Sequence, residues 1–516
     1  MTTIQGKNRV WQFSAVVLAV NVLAACMGSD SPSGPSGASS GGASPTQPSE
    51  NPVVQTAIPK ATCRPGDNPE TGLQGQVPLS ARLALYGGNH CNMDLVGQLE
   101  GEGTSWQHAS YKTCAYYGQA YAVTAVSPAE PKRPSLMRPG TVVVDVSDSA
   151  NPKDAGRLTS VSMLDPWESL KVNAARGLLA AVNSTSSNNG GPEFDVYDIK
   201  SDCTEPRLLF SGPLEDTTVI GHEGEWAPDG RTYFGGDLTQ GQYYAINVDD
   251  PRNPKFITKF TPPVGVHGLS VSPDGKFGYV TLSGTVRNEG NNTNGFAIYD
   301  FTPISTRAAD PTPKLIKEVY WADGSVAQHT IPVKVKGRDY LIAVDELGSD
   351  GVESAASRIV TCGSGRLPFG IPRIFDVTDP LNPALVAKLT LEINQPENCP
   401  QASADTAGLA LFGYDSHYCA VDNPADAKML ACSYFNSGLR LFDITNPGSV
   451  REIAYFNPAM LPGQKGGSTF NVTGNCFGAD WTSSQPHFAL DRNEIWFTSQ
   501  CAGFQVVKID PKVIPK

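Results

Sequence analysis

The sequence predicts an all-β fold, a seven-bladed β-propeller of four-stranded antiparallel blades. The main indication is a repeated phrase, in which a short apolar strand leads into an acidic or polar residue and then a turn with proline. The phrase recurs at intervals of about 50 to 75 residues, a spacing typical of propellers and solenoids. Its seven copies occupy residues 142–152, 194–200, 243–254, 296–303, 372–383, 439–447 and 504–511.

The ends of the chain give the second indication. The last blade has candidate strands near His487, Trp496 and Val506, but the chain ends at Lys516 without room for a fourth strand. Residues 93–100, MDLVGQLE, precede the first complete blade and have the pattern of an unpaired outer strand. Pairing the two segments would close the ring and remove an exposed sheet edge, which is otherwise an aggregation hazard. This closure by an N-terminal strand leads to a count of seven blades, with six or eight as the alternatives.

Blade four illustrates the pattern within one repeat. Its strands are expected at residues 266–272, 277–282, 296–301 and 314–320, with a Pro-Asp-Gly turn signal between the first two. The chain is longer than a domain with one core usually is. A propeller avoids that limit because each blade packs only against its neighbours.

Three copies of the phrase, at residues 141–152, 373–383 and 439–447, are close to L-V-I-V-D-V-S-D-P-x-x-P. In this they resemble the LVIVD-repeat family of bacterial surface and periplasmic β-propellers, and the resemblance extends over about residues 90–511. It implies a propeller fold and an exported location. It carries no catalytic residue over to this chain.

Residues 1–25 are expected to be a lipoprotein signal peptide. Two basic residues precede an apolar stretch, residues 10–24, that is too short to span a bilayer comfortably. The stretch ends in Leu-Ala-Ala-Cys, which looks like a bacterial lipobox with Cys26 as the lipidated residue; an ordinary signal with a coincidental cysteine is the alternative. Because Met27 is not an aspartate retention signal, we expect a bacterial outer membrane lipoprotein that faces the periplasm or the cell surface.

Three segments follow the signal. Residues 26–50 are nearly all Ser, Gly, Pro, Ala and Thr, a composition that cannot bury enough apolar surface to fold, so they predict a flexible tether. Residues 51–90 are rich in Pro and Gly and are expected to wrap the domain as irregular structure. Residues 91–516 are the predicted propeller. The first partner that this arrangement implies is the membrane, contacted through the lipid anchor.

Eleven cysteines agree with an exported, disulfide-bonded protein. Cys419 and Cys432 are expected to pair across adjacent strands of blade six, and Cys476 with Cys501 would tie the loop before blade seven to its second strand. The remaining pairings stay open. No C-x-x-C pair occurs, so the cysteines are not expected to bind a metal.

The charge and the missing motifs exclude several classes of function. A net charge of −12, with no basic stripe to neutralise phosphates, argues against nucleic acid as a partner. The chain has no P-loop, no H-E-x-x-H and no dinucleotide fingerprint. Its G-x-S-x-G match, residues 37–41, lies in the predicted tether, where a nucleophile elbow cannot form.

The seven histidines are the best functional clue, because six of them fall at the first strand of six different blades. The six are His108, His222, His267, His329, His417 and His487. Of these, His222, His267 and His329 each stand eight residues before the glycine of the following turn. Blade two has Glu168 at this place, between a tryptophan and a serine.

Two interpretations of these histidines stay open. The first strand of a blade is the innermost one, so equivalent side chains at its start could form a ring at the channel mouth that binds copper, iron or zinc. Glu223 and Glu225, beside His222, could then orient the ligands or act as a base. Alternatively, a histidine that is useful for packing was duplicated with each repeat and bonds a backbone carbonyl.

Long insertions lengthen blades four to seven, at residues 283–294, 347–371, 392–416 and 457–484. Long loops on one face of a rigid scaffold commonly carry binding. Seven aromatic residues in or beside them either line a ligand pocket or pack the loops down: Phe369, Phe412, Tyr414, Tyr418, Phe470, Phe477 and Trp481.

We therefore expect a lipid-anchored extracytoplasmic propeller that acts as a binding or scaffold module for a protein, a glycan or a small ligand on its loop-rich face. The alternative is a metal-dependent enzyme, such as an oxidoreductase, with the histidine ring at the mouth of the channel. The sequence leaves the choice between them open, and with it the question of a transition-metal cofactor (Cu, Fe or Zn).

Overall fold

In the computed structural model, each copy of the repeated phrase forms the third strand of an antiparallel blade of four strands, and blade six carries a fifth strand at its edge. The structure describes all residues except 1–55, 85, 102, 104–105, 119–138, 185–192, 215–220, 239, 285–292, 350, 352–354, 408–411, 460–481 and 501. The described residues form seven such sheets, and the first strands of successive sheets contact one another around a common axis. The predicted seven-bladed β-propeller is therefore confirmed.

Two strands precede blade one, β1 (Asn89–Cys91) and β2 (Met93–Leu99). The strands of blade one are β3 (His108–Tyr111), β4 (Cys114–Tyr117), β5 (Thr141–Asp145) and β6 (Lys153–Leu158). Those of blade two are β7 (Lys171–Asn173), β8 (Leu178–Val182), β9 (Phe194–Asp198) and β10 (Arg207–Gly212). Those of blade three are β11 (Glu223–Trp226), β12 (Thr232–Asp237), β13 (Gln242–Asn247) and β14 (Lys255–Phe260).

The strands of blade four are β15 (Leu269–Val271), β16 (Phe277–Leu282), β17 (Asn294–Asp300) and β18 (Lys314–Trp321), close to the expected bounds. Those of blade five are β19 (Ser325–Val335), β20 (Arg338–Leu347), β21 (Pro372–Asp376) and β22 (Ala384–Lys388). Those of blade six are β23 (Ser416–Val421), β24 (Met429–Tyr434), β25 (Gly438–Asp443) and β26 (Arg451–Asn457). Blade seven has β27 (His487–Ala489), β28 (Glu494–Ser499) and β29 (Gly503–Ile509).

The core lies between the blades. The middle strands are buried on both faces, as in β8 and β24, because each sheet is covered by a neighbour on either side. The outermost strands are covered on fewer sides and have several exposed or half-buried residues, as in β6. A typical contact between blades is the stack of Phe234 on Phe301, whose ring centroids lie 5.0 Å apart. Such stacks bury large apolar areas, and each blade depends on its neighbours for them.

The aspartate of the repeated phrase shapes the turn after the third strand. Oδ1 of Asp145 accepts the N–H of Ser147 at 2.9 Å, a local bond that favours a turn. The aspartates with the same bond in other blades are Asp198, Asp300, Asp376 and Asp443. In all seven blades the register then shifts between the third and fourth strands. Such bulges increase the local twist and turn the outer strand.

The predicted closure is confirmed. Strand β2 pairs antiparallel with β29, from Met93 opposite Ile509 to Leu99 opposite Phe504, and supplies the fourth strand of blade seven. The first and last described strands of the ring therefore share one sheet. Closure leaves the third strand of the last blade without an open edge.

The segment before β2 lies along blade six. Strand β1 pairs with β26 and makes blade six a five-stranded sheet, which the sequence did not predict. Arg440 on β25 is fully buried and forms ion pairs with Glu452 at 3.0 Å and with Glu70 of the N-terminal segment at 2.8 Å. These contacts fasten the N-terminal segment to the blade.

Four disulfides join described residues. The predicted pair Cys419–Cys432 is confirmed, with the two cysteines opposite each other on β23 and β24. The predicted pair Cys476–Cys501 lies outside the described residues. The sequence left the other three pairings open: Cys63–Cys91, Cys114–Cys203 and Cys362–Cys399.

Helices are few and short among the residues that the structure describes. They are α1 (Leu79–Leu83), α2 (Val161–Leu164), α3 (Thr302–Ser305), α4 (Ala355–Gly363) and α5 (Cys399–Asp405). Single 3₁₀ turns occur at Glu392–Asn394, Pro396–Asn398 and Leu490–Arg492. Within the described part of the chain, no helix combines the length and the apolarity that crossing a membrane requires.

Candidate metal centre

Five blades place polar side chains at the axis, from the beginnings of their innermost strands. Glu168, His222 and His267 come just before β7, β11 and β15, while Gln328 and His417 lie within β19 and β23. These positions converge because the innermost strands of successive blades contact one another around the ring. The repeat therefore brings together residues that are far apart in the sequence.

Glu168, His222 and His267 form one group of facing nitrogen and oxygen atoms. Nε2 of His222 lies 3.0 Å from Oε2 of Glu168, and Nδ1 of His267 lies 3.7 Å from the same oxygen. Nδ1 of His267 is also 3.1 Å from Oε2 of Glu223, to which it can donate its proton. One nitrogen or oxygen atom from each of these three residues lies within 4.8 Å of the corresponding atoms of the other two, so the group could hold a metal ion.

Glu168, Glu346 and His417 form a second group that shares Glu168 with the first. Nε2 of His417 lies 3.2 Å from Oε1 of Glu168 and 3.3 Å from Oε1 of Glu346, which comes from β20. Nδ1 of His417 donates to the carbonyl oxygen of Ser483 at 2.6 Å, so Nε2 is the nitrogen that faces the carboxylates. Burial lowers the pKa of His417, but hydrogen bonds to the two glutamates outweigh this and raise it to about 9. Nε2 of Gln328 lies 2.8 Å from Nε2 of His417.

Two buried polar atoms in the first group make no hydrogen bond of good geometry, Oε2 of Glu168 and Nε2 of His267, although Nε2 of His267 lies 3.4 Å from Oε2 of Glu346. Nε1–H of Trp167 donates to Nε2 of His222 at 3.2 Å, so this nitrogen acts as an acceptor and cannot donate to Glu168. Two acceptors thus face each other at 3.0 Å in a buried site. Unsatisfied buried polar atoms are destabilising, and a cation between them would satisfy both.

The electrostatics of the centre favour positive charge. Burial raises the pKa of Glu168, but its interactions with His222 and His267 outweigh this and hold that pKa well below its usual range. Burial lowers the pKa of His267, but Glu168, Glu223 and Glu346 together raise it well above its usual range. Burial raises the pKa of Glu223 to about 7. Either a proton on histidine or a metal ion in its place can supply the charge that these carboxylates attract.

Aromatic rings cover one side of the centre. Trp106 stacks on Trp167 with ring centroids 5.0 Å apart, and Phe412 stacks on Phe435 at 4.0 Å. The Trp106 ring also lies 5.4 Å from the imidazole of His417. Apolar rings exclude water, and a water-poor surrounding strengthens the electrostatic interactions inside it.

His329 lies beside the centre but both of its nitrogens are engaged. Nδ1 bonds Oε1 of Gln328 at 2.9 Å, and Nε2 accepts the N–H of Cys419 at 3.3 Å. Its ring stacks on Tyr418 at 4.8 Å. The contact with Gln328 places His329 behind the amide that reaches His417, so it positions a neighbour of the centre rather than facing the ligand atoms.

The structure does not bring His108 and His487 to the group. Nδ1 of His108 bonds the carbonyl oxygen of Gln485 at 3.0 Å, and its Nε2 bonds Oγ of Ser110 at 2.9 Å. Burial lowers the pKa of His108 to about 3 and that of His487 to about 4. The ring of His487 packs on Trp496 at 5.3 Å. For these two histidines the packing interpretation describes what the structure shows.

The two glutamates singled out in the sequence differ in their roles. Glu223 bonds His267, whereas Glu225 faces Lys171, with Oε2 3.9 Å from Nζ, and accepts the N–H of Trp226. Three members of the centre were not among the predicted site residues: Glu168, Gln328 and Glu346. A signal existed for Glu168, because it replaces the histidine of blade two. Glu346 lies on a second strand, where the repeat gives no signal.

Among the described residues, two other groups of potential ligands occur at the edge of blades six and seven, Cys63 with Asp67 and Cys91, and Asp67 with His90 and Asp94, and both already have partners for several of their atoms. Cys63 and Cys91 are joined in a disulfide. Asp67 and Asp94 both bond Arg64, at 2.9 Å in the case of Asp67. The fixed charge of Arg64 compensates these carboxylates, in contrast to those at the axis.

No protein-family model matches the chain, and no curated protein matches it in sequence. Among solved structures, the periplasmic gluconolactonase of Pseudomonas aeruginosa is similar at 14% identity, with a TM-score of 0.47 over 82% of this chain and 94% of the other. Hydrazine synthase of Kuenenia stuttgartiensis is similar at 11% identity, with a TM-score of 0.47 over 80% of this chain and 96% of the other. Neither likeness bears on the chemistry at the axis.

Proposed function

We propose that the protein is a metal-dependent enzyme whose transition-metal ion binds Glu168, His222 and His267 at the propeller axis. The observation that carries the proposal is a pair of buried atoms that make no hydrogen bond, Oε2 of Glu168 and Nε2 of His267. They lie beside a nitrogen of His222 that acts as an acceptor. Two ligands on one ion, each about 2.1 Å from it, lie about 3.0 to 3.4 Å apart. The 3.0 Å between Glu168 and His222 is of this size.

The type of ligand supports catalysis over a structural role. Structural zinc sites are mostly closed by four cysteine or histidine ligands, whereas catalytic sites have three protein ligands and keep a position open for water or substrate. Imidazole and carboxylate ligands suit zinc, copper and iron. The bond between Nδ1 of His267 and Glu223 is the kind of support that fixes the tautomer of a ligating histidine and leaves Nε2, near Glu346, free to bind a metal.

The apolar contacts that hold the blades together do not involve the axial carboxylates. Each blade is completed by its own strands and by apolar packing against its neighbours, and β2 closes the ring. Burying three carboxylates at the axis is costly in such a protein unless they are compensated. A site that lowers the stability of the fold and leaves potential ligand atoms without hydrogen bonds is better explained by function than by packing.

Metal content tests this proposal. Protein comprising residues 51–516, purified from the periplasm without chelators or affinity metals, should contain copper, iron or zinc by elemental mass spectrometry. His267→Ala should lower the metal occupancy about tenfold or more, because it removes a ligand. The matched control is His108→Gln, which changes the histidine at the same strand position of blade one and should keep the metal.

Two outcomes would contradict the proposal. One is a folded wild-type protein without metal. The other is unchanged occupancy in the double variant His222→Ala/His267→Ala. Near-ultraviolet circular dichroism shows whether each variant is folded. The identity of the metal then decides which activity to assay. Copper or iron would call for oxidoreductase substrates, and zinc would call for hydrolase substrates.

The binding or scaffold role that the sequence favoured gains no support from the described residues. Four of the insertion aromatics are buried and pack the loops down, Phe369, Phe412, Tyr414 and Tyr418. The other three, Phe470, Phe477 and Trp481, lie outside the described residues. Capture of a protein, glycan or small ligand on the loop-rich face is therefore the second candidate.

For the location, we propose that the propeller is an outer membrane lipoprotein of the LVIVD-repeat family. Cys26 and the tether lie outside the described residues, so the proposal of a lipid anchor rests on the lipobox sequence. The four disulfides are consistent with export, since they persist in oxidising compartments. The LVIVD-like phrases all form third strands, as a repeat unit would.

Cys26→Ser should release the protein from the membrane into the soluble periplasmic fraction, because lipid is then no longer attached. Cell fractionation and immunoblotting measure this. Met27→Ser is the control, since it changes the adjacent residue and keeps the lipobox cysteine. Membrane association of the Cys26→Ser protein at the wild-type level would refute the anchor.

A further inference from the structure

Two carboxylates at the axis each face two histidines. Oε1 of Glu168 lies 3.2 Å from Nε2 of His417, while its Oε2 lies 3.7 Å from Nδ1 of His267. Oε1 of Glu346 lies 3.3 Å from Nε2 of His417, while its Oε2 lies 3.4 Å from Nε2 of His267. In both residues one oxygen thus faces His417 and the other faces His267.

The two histidines are held in the same way. His417 donates from Nδ1 to the carbonyl oxygen of Ser483 at 2.6 Å, and His267 has Nδ1 3.1 Å from Oε2 of Glu223. In each case Nδ1 is occupied and Nε2 lies near Glu346, and Nε2 of His417 lies near Glu168 as well. Such bonds fix the tautomer of ligating histidines. The support that favours His267 as a ligand therefore favours His417 equally.

The carboxylates of the centre need more positive charge than one divalent ion supplies. Glu168, Glu223 and Glu346 are all buried, and Lys171 has its Nζ near Glu225. With one divalent ion at His222 and His267, a proton on His417 would have to supply the remaining charge. A buried charge without compensation is strongly destabilising. A second cation on the side of His417 would take the place of that proton.

We infer that the centre binds two metal ions, the second held by His417 and bridged to the first by Glu168 and Glu346. This rests on the proposed function, which needs only the ion at His222 and His267. The second ligand is a divalent first-row transition metal, because its donors are one imidazole and two carboxylates. Ions bridged in this way in two-metal enzymes lie about 3.5 to 4 Å apart and can act together on one oxygen atom.

Cobalt stoichiometry tests the inference. The soluble chain, residues 51–516, is stripped of metal by a chelator, reconstituted with Co(II), desalted and analysed by elemental mass spectrometry. Wild type should bind two ions per chain. His417→Ala and His222→Ala should each retain one, and Glu168→Gln should lose most of both because it removes the shared ligand. His108→Gln, as control, should bind two.

The outcomes separate this inference from the proposed function. No cobalt in folded wild type would overturn both. One ion per chain that is lost in His222→Ala and kept in His417→Ala would overturn the second site alone. Where His417→Ala does not fold, His417→Gln serves, because its amide can still donate to Ser483.

Spectroscopy gives an independent readout of the bridge. Loaded with Mn(II), wild type should show an exchange-coupled electron paramagnetic resonance spectrum. His417→Ala should show the six-line signal of an isolated ion. A six-line signal in fully loaded wild type would contradict bridging by Glu168 and Glu346.

Discussion

Replacing Met93–Leu99 with a Gly-Ser linker of equal length should open blade seven and destabilise the ring by about 5 kcal/mol or more. The strand contributes a ladder of backbone hydrogen bonds to β29, each with a net value of about 1 kcal/mol. It also buries Met93 in the cluster between blades six and seven, and loss of a buried methionine side chain costs about 2–5 kcal/mol. The linker keeps the chain connected, so the effect comes from the lost strand.

Hydrogen exchange measured by mass spectrometry should locate the effect. Peptides from β28 and β29 should lose protection, because their sheet then has an open edge. The matched control replaces Lys153–Leu158, the outer strand of blade one, which buries only Leu158 and does not join the two ends of the ring. Equal loss of protection in blade seven with both linkers would argue against closure by β2.

Arg440→Met should destabilise the protein by about 3–5 kcal/mol at neutral pH, because it leaves two buried carboxylates without their cation. Arg440 is fully buried between Glu70 at 2.8 Å and Glu452 at 3.0 Å. Burial already raises the pKa of Glu452 with Arg440 in place. Without the arginine the folded protein favours the protonated acid, so the deficit relative to wild type should shrink as the pH falls and be largest at neutral pH.

Denaturant unfolding at pH 7 and pH 4.5 measures both effects. Arg451→Met is the control, since its pair with Asp443 has a similar length of 2.9 Å but its side chain is 59% exposed, and it should cost at most about 1 kcal/mol. The triple variant Arg440→Met/Glu70→Gln/Glu452→Gln should recover part of the loss, because the unpaired charges are gone. A cost for Arg440→Met no greater than for Arg451→Met would mean that the ion pairs do not hold the N-terminal segment.

Much of the fold could be predicted because short, local sequence patterns mark its strands and turns. The repeated phrase marks seven third strands, and the pattern of residues 93–100 marks the strand that closes the ring. The pair Cys419–Cys432 could be predicted because its cysteines lie on adjacent strands of one blade. Strand β1 could not be predicted, because a strand of three residues is too short to show a periodic pattern. It also pairs with a strand some 370 positions away, so the pairing of Asn89 with Asn457 depends on tertiary structure alone.

The site could be predicted only in part, since repeat equivalence identifies positions and not directions. His222, His267 and His417 occupy the repeated position and do face the axis. His108 and His487 occupy it as well, yet they bond or pack against neighbouring residues. Glu346 lies outside the repeated position altogether. Which histidines meet a carboxylate depends on the side chain that the next blade presents, and no local pattern contains that information.

The sequence by itself determined the architecture of this protein: the number of blades, the strand that closes them and the innermost positions where polar residues recur. Those properties follow from hydrophobic period, turn residues and composition, which act over a few residues. Only the tertiary structure decided that Glu168 and Glu346 stand between His267 and His417, with some buried atoms left without a hydrogen bond. Closing the ring brings each of these residues from blades two to six within about 4 Å of at least one other, and such contacts arise from packing of whole blades against each other.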